Sequence, residues 1–287
     1  MNKLVPHPAA DAAAVVKLAN DKRLASFPRL ANLVDTMTAA YLAYDRSQGA
    51  PMFVFEFPTA EQAKLLKGHY EKPPKCLQYI KDMRKVSEPR PCPMCGSMHT
   101  GTLDHYLPKA DFPLFTIFSK NLIPACKCNS KRGTKLLGGQ AGERFLHPYY
   151  DNCLSERIIR AQFDDLGDVP RVSLELTVPR THNQYAAIAF HVREIVEKTA
   201  IKGFLSDQWS ALYRRPSLVV RDFKVNCRTQ AEVETALTEE LDRRDDYHRS
   251  KNNWNSVFVR GLLEPAVLAW LTARLTDPNR ADDAPLG

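Results

Sequence analysis

The chain of 287 residues is long enough to bury a sizeable hydrophobic core, and its 44% hydrophobic and 25% charged residues are ordinary for a globular protein. No stretch approaches the roughly 18 to 20 uninterrupted apolar residues that a membrane span needs, and Asp11 interrupts the apolar N-terminal residues, so we expect a cytoplasmic protein with no membrane partner. The net charge of +7 suggests a polyanionic partner.

Residues 1–75 have the pattern of a mostly helical N-terminal region. Ser26 precedes apolar residues that recur at helical spacing from Phe27 to Tyr41, which predicts a helix capped by Ser26. The segment MFVFEF at 52–57 is a short strand candidate, because it is rich in aromatic and β-branched residues.

A second helix is predicted to follow that strand candidate. Thr59 with Gln62 forms a capping-box pattern, and Gly68 marks the expected end of the helix. The segment EKPPK at 71–75 predicts the end of the whole region, because paired prolines cannot continue a helix.

Residues 76–150 differ in composition from the residues before them. Cysteines, glycines and prolines cluster here, and the apolar runs are too brief for long helices, which is typical of small domains organised by a metal. From Lys81 to Lys135 there are ten Lys and Arg residues against four Asp and Glu, so most of the excess positive charge lies in this region.

Residues 151–287 are predicted to be a mostly helical C-terminal region. The expected elements are a strand at 171–178, a helix around 185–196, a helix capped by Thr229 with Glu232, and a buried helix over Trp254–Leu271. The final segment, DPNRADDAPLG at 277–287, has the composition of a disordered tail.

Four of the seven cysteines form two close pairs, Cys92 with Cys95 and Cys126 with Cys128. Zinc prefers thiolates arranged as a tetrahedron, and a Cys-x-x-Cys turn supplies two of them, so the pairs predict a closed structural zinc site. The second pair is Cys-x-Cys, one residue short of the usual spacing. The alternatives are accidental clustering, a redox dithiol, or His99 in place of one cysteine.

The dipeptide Asp104-His105 follows the first cysteine pair. Hydrolysis of a phosphodiester needs a base for water and a cation near the phosphate; a histidine suits the first task and a carboxylate that holds Mg²⁺ suits the second. A lone histidine is more often a core residue, but the context of His105 favours catalysis. Neighbours on a regular strand point to opposite faces, so we expect a bulge or twist at the strand end.

The segment between the cysteine pairs reads TLDHYLPKADFPLFTIFSKNLIPACKCNSKRG, and FLHPYYD follows it. Over roughly residues 90–148 the chain resembles the HNH endonucleases, the ββα-metal nuclease superfamily. Its motifs fall in the family's order: a cysteine pair, Asp-His on a strand, a central Asn, and a cysteine pair followed by Asn and Lys at a helix start. TLDHYLPK, NLIPACKCN and FLHPYYD are most similar to a bacterial subgroup associated with anti-phage defence, including Septu-type and retron-linked nucleases.

The resemblance implies an α+β, mostly helical chain in which a zinc-stapled ββα-metal core lies between helical N- and C-terminal flanks. It implies that His105 is the general base and that Asn121 fixes the loop holding that histidine; an ordinary turn asparagine is the alternative for Asn121. It also implies that Asn129 binds a catalytic Mg²⁺ or Mn²⁺ beside Asp104. Asn129 directly follows Cys128, so the short Cys-x-Cys spacing can shift it.

Basic side chains within the motif are candidates for contacting the backbone of a nucleic acid. They are Lys109, Lys127, Lys131 and Arg132. A solvated basic helix end is an equally good interpretation of Lys131 or Arg132 taken alone. No aromatic stripe forms a platform for stacking bases, so we expect recognition by charge and shape. We assign His147 and Tyr149 to structural packing rather than to the site.

We therefore expect a metal-dependent HNH endonuclease that leaves, as the resemblance implies, a 5′-phosphate and a 3′-hydroxyl. DNA is the favoured substrate and RNA the alternative. The resemblance to defence nucleases implies an anti-phage role and an ATPase partner, and the flanks that form nearly three quarters of the chain leave room for one. Two other hypotheses stay open: a zinc-organised nucleic-acid-binding module without catalysis, and a nuclease subunit that is active only with an ATPase.

Overall fold

The computed structural model describes residues 1–51, 57–85, 91–133 and 135–287. It is an α+β structure with about 49% helix and two small antiparallel sheets of two strands each. The α-helices in these ranges are α1 (Asp11–Asn20), α2 (Val34–Arg46), α3 (Ala60–Glu71), α4 (Gln78–Arg84), α5 (Tyr185–His191), α6 (Ile201–Arg214), α7 (Gln230–His248), α8 (Trp254–Leu262) and α9 (Pro265–Leu275). The strands are β1 (Thr102–His105), β2 (Leu122–Ala125), β3 (Ile159–Asp164) and β4 (Arg171–Leu176).

The N-terminal helices agree with the sequence where a local cap determines them. Thr59 and Gln62 form the predicted capping box, with Gln62 N donating to Thr59 Oγ1 at 3.2 Å and Thr59 N to Gln62 Oε1 at 2.9 Å. This helix, α3, continues past Gly68, since one glycine costs only about 1 kcal/mol in a helix.

The helix predicted to begin at Ser26 starts later. A short 3₁₀ turn leads into α2 at Val34, and the Ser26 hydroxyl instead contacts His69 Nε2 at 2.9 Å. The Ser26 side chain therefore makes a tertiary contact instead of the helix cap that the local pattern predicted. The predicted strand at 52–57 falls almost entirely outside the described residues.

Two hydrophobic clusters form the core of the molecule. One joins α1 to α4 with β1 and β2, and so includes buried side chains from both 1–75 and 76–150. The other joins β3 with α6 to α9. Each large apolar side chain that is fully buried contributes roughly 1.5 to 3 kcal/mol, so the N-terminal helices and the first sheet stabilise one another.

The C-terminal region contains the predicted elements, with one difference in its helices. The strand candidate at 171–178 is β4, which pairs with β3, and Thr229 Oγ1 accepts a hydrogen bond from Glu232 N at 3.2 Å at the start of α7. The single buried helix predicted over Trp254–Leu271 is instead α8 and α9, which meet at 74°. Pro265 is the first residue of α9. Proline has no backbone N–H and cannot continue the preceding helix, so the chain changes direction there.

The tail at 277–287 is folded against α6, so the prediction of disorder is wrong. Leu286 is 2% exposed, and its N–H donates to the Tyr213 carbonyl oxygen at 2.8 Å. Asp283 accepts hydrogen bonds from Arg215 Nε and Ser217 Oγ, both at 2.6 Å. Residues of this charged segment therefore form specific hydrogen bonds with the end of α6 and the residues that follow it.

In the part of the chain that is described, no single helix combines the length and the apolar composition needed to cross a membrane. The bent pair α8 and α9 meets those two criteria only when its helices are taken together.

Gly261 lies where α8 crosses β3, and a Cβ there would stand 2.6 Å from the Ala161 carbonyl oxygen. We expect Gly261→Ala to lower the free energy of unfolding by about 1 to 3 kcal/mol, because the helix must move away from the strand. Gly68→Ala is the matched control: no neighbour lies within 4 Å of a Cβ there, and the change should raise stability by up to about 1 kcal/mol. Urea unfolding measures both, and equal effects would contradict the close crossing.

Candidate functional site

Asp104 and His105 stand at the end of β1, on its two faces. The strand alternates regularly, with Leu103 and His105 buried and Asp104 partly exposed, and its pairing with β2 runs without a bulge from Thr102 to His105. The bulge that we expected is therefore not present in these four residues. His105 is the last residue of the strand, and neighbouring side chains link it to Asp104 on the opposite face.

The imidazole of His105 is held by one backbone contact. Nε2 lies 2.9 Å from the Thr116 carbonyl oxygen; because a carbonyl only accepts, Nε2 carries the proton and Nδ1 has the free lone pair. Burial chiefly lowers the pKa of His105 to about 4, and the positive charges of Lys109 and Arg84 act in the same direction. The ring is therefore neutral at pH 7 and can accept a proton at Nδ1.

Asn129 joins Asp104 to His105. Its Nδ2 donates to Asp104 Oδ2 at 2.8 Å and to the His105 carbonyl oxygen at 3.1 Å. The other Asp104 oxygen, Oδ1, accepts from the His105 N–H at 2.8 Å. Asn129 Oδ1 is buried and has no hydrogen-bond partner among the described residues. The structure therefore brings together three of the four predicted catalytic residues, with one buried amide oxygen unused.

Asn121, the fourth, is fully buried and fixes the loop between β1 and β2. Its Oδ1 accepts from Leu107 N at 2.7 Å, and its Nδ2 donates to the carbonyl oxygens of Leu107 and Phe115, both at 3.1 Å. The Thr116 carbonyl that holds His105 directly follows Phe115. Asn121 therefore acts on His105 through the loop rather than by direct contact.

Asn121 is itself supported by a chain of buried hydrogen bonds. Tyr149 N donates to His147 Nδ1 at 3.2 Å, which leaves the proton on Nε2, 2.9 Å from the Tyr44 hydroxyl. The Tyr44 hydroxyl in turn donates to Asn121 Oδ1 at 3.1 Å. His147 and Tyr149 are both buried, in line with the structural packing that we assigned to them.

Arg132 occupies a different position from the one expected of a nucleic-acid contact. It is 6% exposed, and its Nη2 donates to the carbonyl oxygens of His105, at 3.0 Å, and Tyr106. Burial lowers the pKa of the guanidinium. Because these donors face the protein interior, Arg132 secures the end of β1 and does not present its charge to a phosphate.

The three predicted lysines are closer to solvent. Lys127 and Lys131 are exposed, and Lys131 Nζ donates to the Lys198 carbonyl oxygen at 2.7 Å. Lys109 is half-buried, with Nζ 5.1 Å from the centre of the Tyr70 ring.

The element after β2 is shorter than predicted. Residues Lys127–Arg132 form a 3₁₀ helix that ends at Gly133, which has a φ of 60°. The expected α-helix of a ββα unit is absent from the described residues that directly follow. Six residues in 3₁₀ geometry still place Asn129 against Asp104 and direct Arg132 inward.

The four paired cysteines converge on one point. Their sulfurs all lie within 4.8 Å of one another, with Cys92 and Cys128 Sγ 3.6 Å apart and Cys95 and Cys126 Sγ 3.5 Å apart. This spacing allows the four sulfurs to share one metal ion. His99 is exposed and is not part of the cluster.

The turn from Cys92 to Gly96 is held by the C-terminal region. His191 Nε2 donates to the Met94 carbonyl oxygen at 2.6 Å, and Trp254 Nε1 donates to that of Cys95 at 2.8 Å. Gly96 has a φ of 79°, which glycine adopts without strain, and a Cβ there would stand 2.2 Å from a backbone oxygen of Asn252. No sequence pattern pointed to His191 or Trp254, because they are distant in the chain.

Sequence reasoning also missed Tyr70 and Arg84 beside His105. The Tyr70 ring lies 4.5 Å from the imidazole, centre to centre, and its hydroxyl donates to the Leu103 carbonyl oxygen. Arg84 Cζ is 4.5 Å from the centre of the same ring. Both residues lie outside the recognised motif, so only the folded arrangement reveals them.

The fold and the site thus define an α+β protein with a four-cysteine cluster that could bind a metal. Over 119 residues the chain is 28% identical to Protein ea31 of Escherichia phage lambda. The match covers 40% of this chain and 40% of that protein, so more than half of each lies outside it. No family model and no solved structure matches the chain.

The buried imidazole of His147 predicts a pH dependence of stability. Burial lowers its pKa to about 3, from about 6.5 in an unfolded chain, so acid protonates the unfolded state first and stability falls as the pH drops below 6.5. We expect His147→Gln to reduce the loss of unfolding free energy between pH 7 and pH 5 by roughly 2 kcal/mol. His99→Gln, at an exposed position, should leave that loss unchanged. Urea unfolding at the two pH values tests this, and parallel curves for wild type and His147→Gln would contradict it.

Proposed function

We propose that this protein is a metal-dependent endonuclease of the HNH type, with Asp104, His105 and Asn129 in its active site. The observation that carries the proposal is the Asn129 amide, which contacts both the Asp104 carboxylate and the His105 backbone at the end of β1. The same amide leaves its oxygen, Oδ1, buried and without a partner among the described residues, next to a carboxylate that is partly exposed.

The residues fit a hard divalent cation. Asp104 supplies carboxylate oxygens and Asn129 supplies the buried Oδ1 that has no partner among the described residues, and oxygen donors of this kind suit Mg²⁺ or Mn²⁺. A bound cation supplies stabilisation of the negative charge that develops on the phosphate and the leaving oxygen. Asp104 and Asn129 would hold it.

His105 would perform the proton transfer. Its Nδ1 takes a proton from a water molecule, whose oxygen attacks phosphorus as the bond to the 3′-oxygen breaks. The leaving 3′-oxygen takes a proton from solvent, and His105 then releases the proton that it accepted. The Thr116 carbonyl holds the opposite side of the ring at Nε2, which keeps Nδ1 free for this step. The products are a 5′-phosphate and a 3′-hydroxyl.

The cysteine cluster would bind a structural zinc ion. Four sulfurs at 2.3 Å from a tetrahedral ion would lie about 3.8 Å from one another. The observed distances are close to this value, at 3.6 Å between Cys92 and Cys128 Sγ and 3.5 Å between Cys95 and Cys126 Sγ. The N–H of Cys126 points to Cys92 Sγ at 3.4 Å and that of Cys128 to Cys126 Sγ at 3.3 Å, and such donors stabilise thiolates. All four positions are protein sulfurs, so the ion would not take part in hydrolysis.

DNA is the substrate that we propose, with RNA as the alternative. The exposed ammonium groups of Lys127 and Lys131 lie on the same 3₁₀ helix as Asn129, where they can attract a phosphate backbone. A role in anti-phage defence and dependence on an ATPase remain proposals that rest on the resemblance alone.

The first experiment measures cleavage of plasmid DNA with Mg²⁺ or Mn²⁺. His105→Ala should lower the rate by roughly 100-fold or more, because the base that activates water is lost. His99→Ala, at an exposed site near the cysteine turn, should cut as the wild type does.

Undiminished cleavage by a folded His105→Ala protein would sink the proposed mechanism. Salt-sensitive binding without cleavage under any divalent ion would favour the non-catalytic binding module. Cleavage that appears only after an ATPase is added would favour the partner-dependent subunit.

The second experiment measures zinc by mass spectrometry on purified protein. We expect one zinc ion per chain, its loss in Cys126→Ser, and a lower melting temperature for that variant, since structural zinc contributes directly to folding. Cys76→Ser is the control, because Cys76 lies outside the cluster. A wild-type protein without metal and with four reactive thiols would instead support a redox role.

A further inference from the structure

Two cations and the candidate base surround a single aromatic ring. The centre of the Tyr70 ring lies 4.5 Å from the centre of the His105 ring, 4.5 Å from Arg84 Cζ and 5.1 Å from Lys109 Nζ. The Tyr70 hydroxyl donates to the Leu103 carbonyl oxygen, which fixes the ring against β1. Both cations and His105 therefore contact one anchored side chain.

Arg84 is held in place by backbone oxygens rather than by a carboxylate. Its Nη2 donates to the Tyr70 carbonyl oxygen at 2.7 Å, and its Nη1 lies 3.5 Å from that of Glu71, at the end of α3. No Asp or Glu among the described residues forms an ion pair with Arg84 or Lys109. A guanidinium has five N–H donors and two of its nitrogens bond here to backbone oxygens, so further N–H groups remain for a ligand.

The surface at Arg84 is concave. Its side chain lines a depression together with Tyr70, Met83, Thr102, Leu103 and Pro124, next to the strand that ends in His105. Lys109 belongs to a turn in which the N–H groups of Asp111 and Phe112 both donate to the Pro108 carbonyl oxygen. Arg84 thus lies beside the first residues of β1, and Lys109 lies four residues beyond the end of that strand.

We infer that Arg84 and Lys109 form a phosphate-binding site beside His105, which holds a nucleic-acid backbone phosphate next to the one that is cleaved. This inference rests on the proposed function, because it places the substrate at His105. A planar guanidinium that is held on one edge can give two parallel hydrogen bonds to phosphate oxygens, and the Lys109 ammonium adds a point charge. The site would position the backbone and carries no base specificity.

The chain offers a matched control for Arg84. Arg274 Cζ lies 3.7 Å from the centre of the Trp270 ring, and its Nη1 lies 3.3 Å from the Trp270 carbonyl oxygen. It thus has the same combination of ring contact and backbone bond, but it is on α9, where Trp270 packs against the other hydrophobic cluster. A loss that appears in Arg84→Gln and not in Arg274→Gln is due to the ligand and not to the ring contact.

The experiment measures binding of a fluorescent DNA oligonucleotide by anisotropy, in a His105→Ala background that does not cut. Arg84→Gln and Lys109→Gln should each weaken binding roughly fivefold to tenfold, and each should reduce the slope of log Kd against log salt by about 1. Arg274→Gln should change neither quantity, and Arg84→Lys should recover part of the affinity. In the cutting enzyme, Arg84→Gln should raise KM more than it lowers kcat.

Equal affinity for the Arg84→Gln, Lys109→Gln and Arg274→Gln proteins would overturn the inference, as would a protein that binds no DNA or RNA oligonucleotide. The failure of the proposed function gives a different result: the wild type never cuts, while Arg84→Gln and Lys109→Gln still weaken binding. Lys109→Gln keeps the test decisive if Arg84→Gln unfolds, since Lys109 makes no backbone bond among the described residues.

Discussion

The side-chain amide of Asn121 is the contact on which the candidate site depends. The loop between β1 and β2 has only short 3₁₀ turns, so its buried backbone groups need partners from elsewhere. The Asn121 amide satisfies three of them, at Leu107 and Phe115, and is itself fully buried. Removing one partner from such a network costs about 1 to 3 kcal/mol for each group left unpaired. The Thr116 carbonyl oxygen thereby stands where it can hold His105.

The N-terminal helices support the same loop from the other side. Three of these contacts are Asp11 with Ser119, Tyr79 with Ile117, and Tyr44 with Asn121. They come from three different helical segments, and each reaches a backbone or polar group of the loop. Buried polar networks of this kind select one arrangement when every member is satisfied, which is a stronger constraint than apolar packing alone. The helical flank therefore belongs to the support of the site.

Local patterns predicted what local chemistry determines. The capping box at Thr59, the cap at Thr229 and the convergence of the cysteine pairs all follow from side chains that contact nearby residues or one shared point. The predictions failed where a residue distant in sequence determines the position of a side chain. Arg132 points inward, where it donates a hydrogen bond to the carbonyl oxygen of His105. Asn129 lies against Asp104, although the element that carries it is a 3₁₀ helix and not the expected α-helix. Arg84 was missed because it lies outside the recognised motif, and only the fold brings it and the Tyr70 ring beside His105.

The cysteine cluster and the candidate site share one piece of backbone. Asn129 directly follows Cys128, and Cys128 Sγ lies 3.6 Å from Cys92 Sγ, whose turn is held by His191 and Trp254. The position of Asn129 against Asp104 therefore depends on the sulfur cluster and, through it, on the C-terminal region. The N-terminal region acts on His105 through Asn121, and the C-terminal region acts on Asn129 through the cysteines. Under the proposed function, the base and the metal ligand are thus positioned by opposite flanks of the chain.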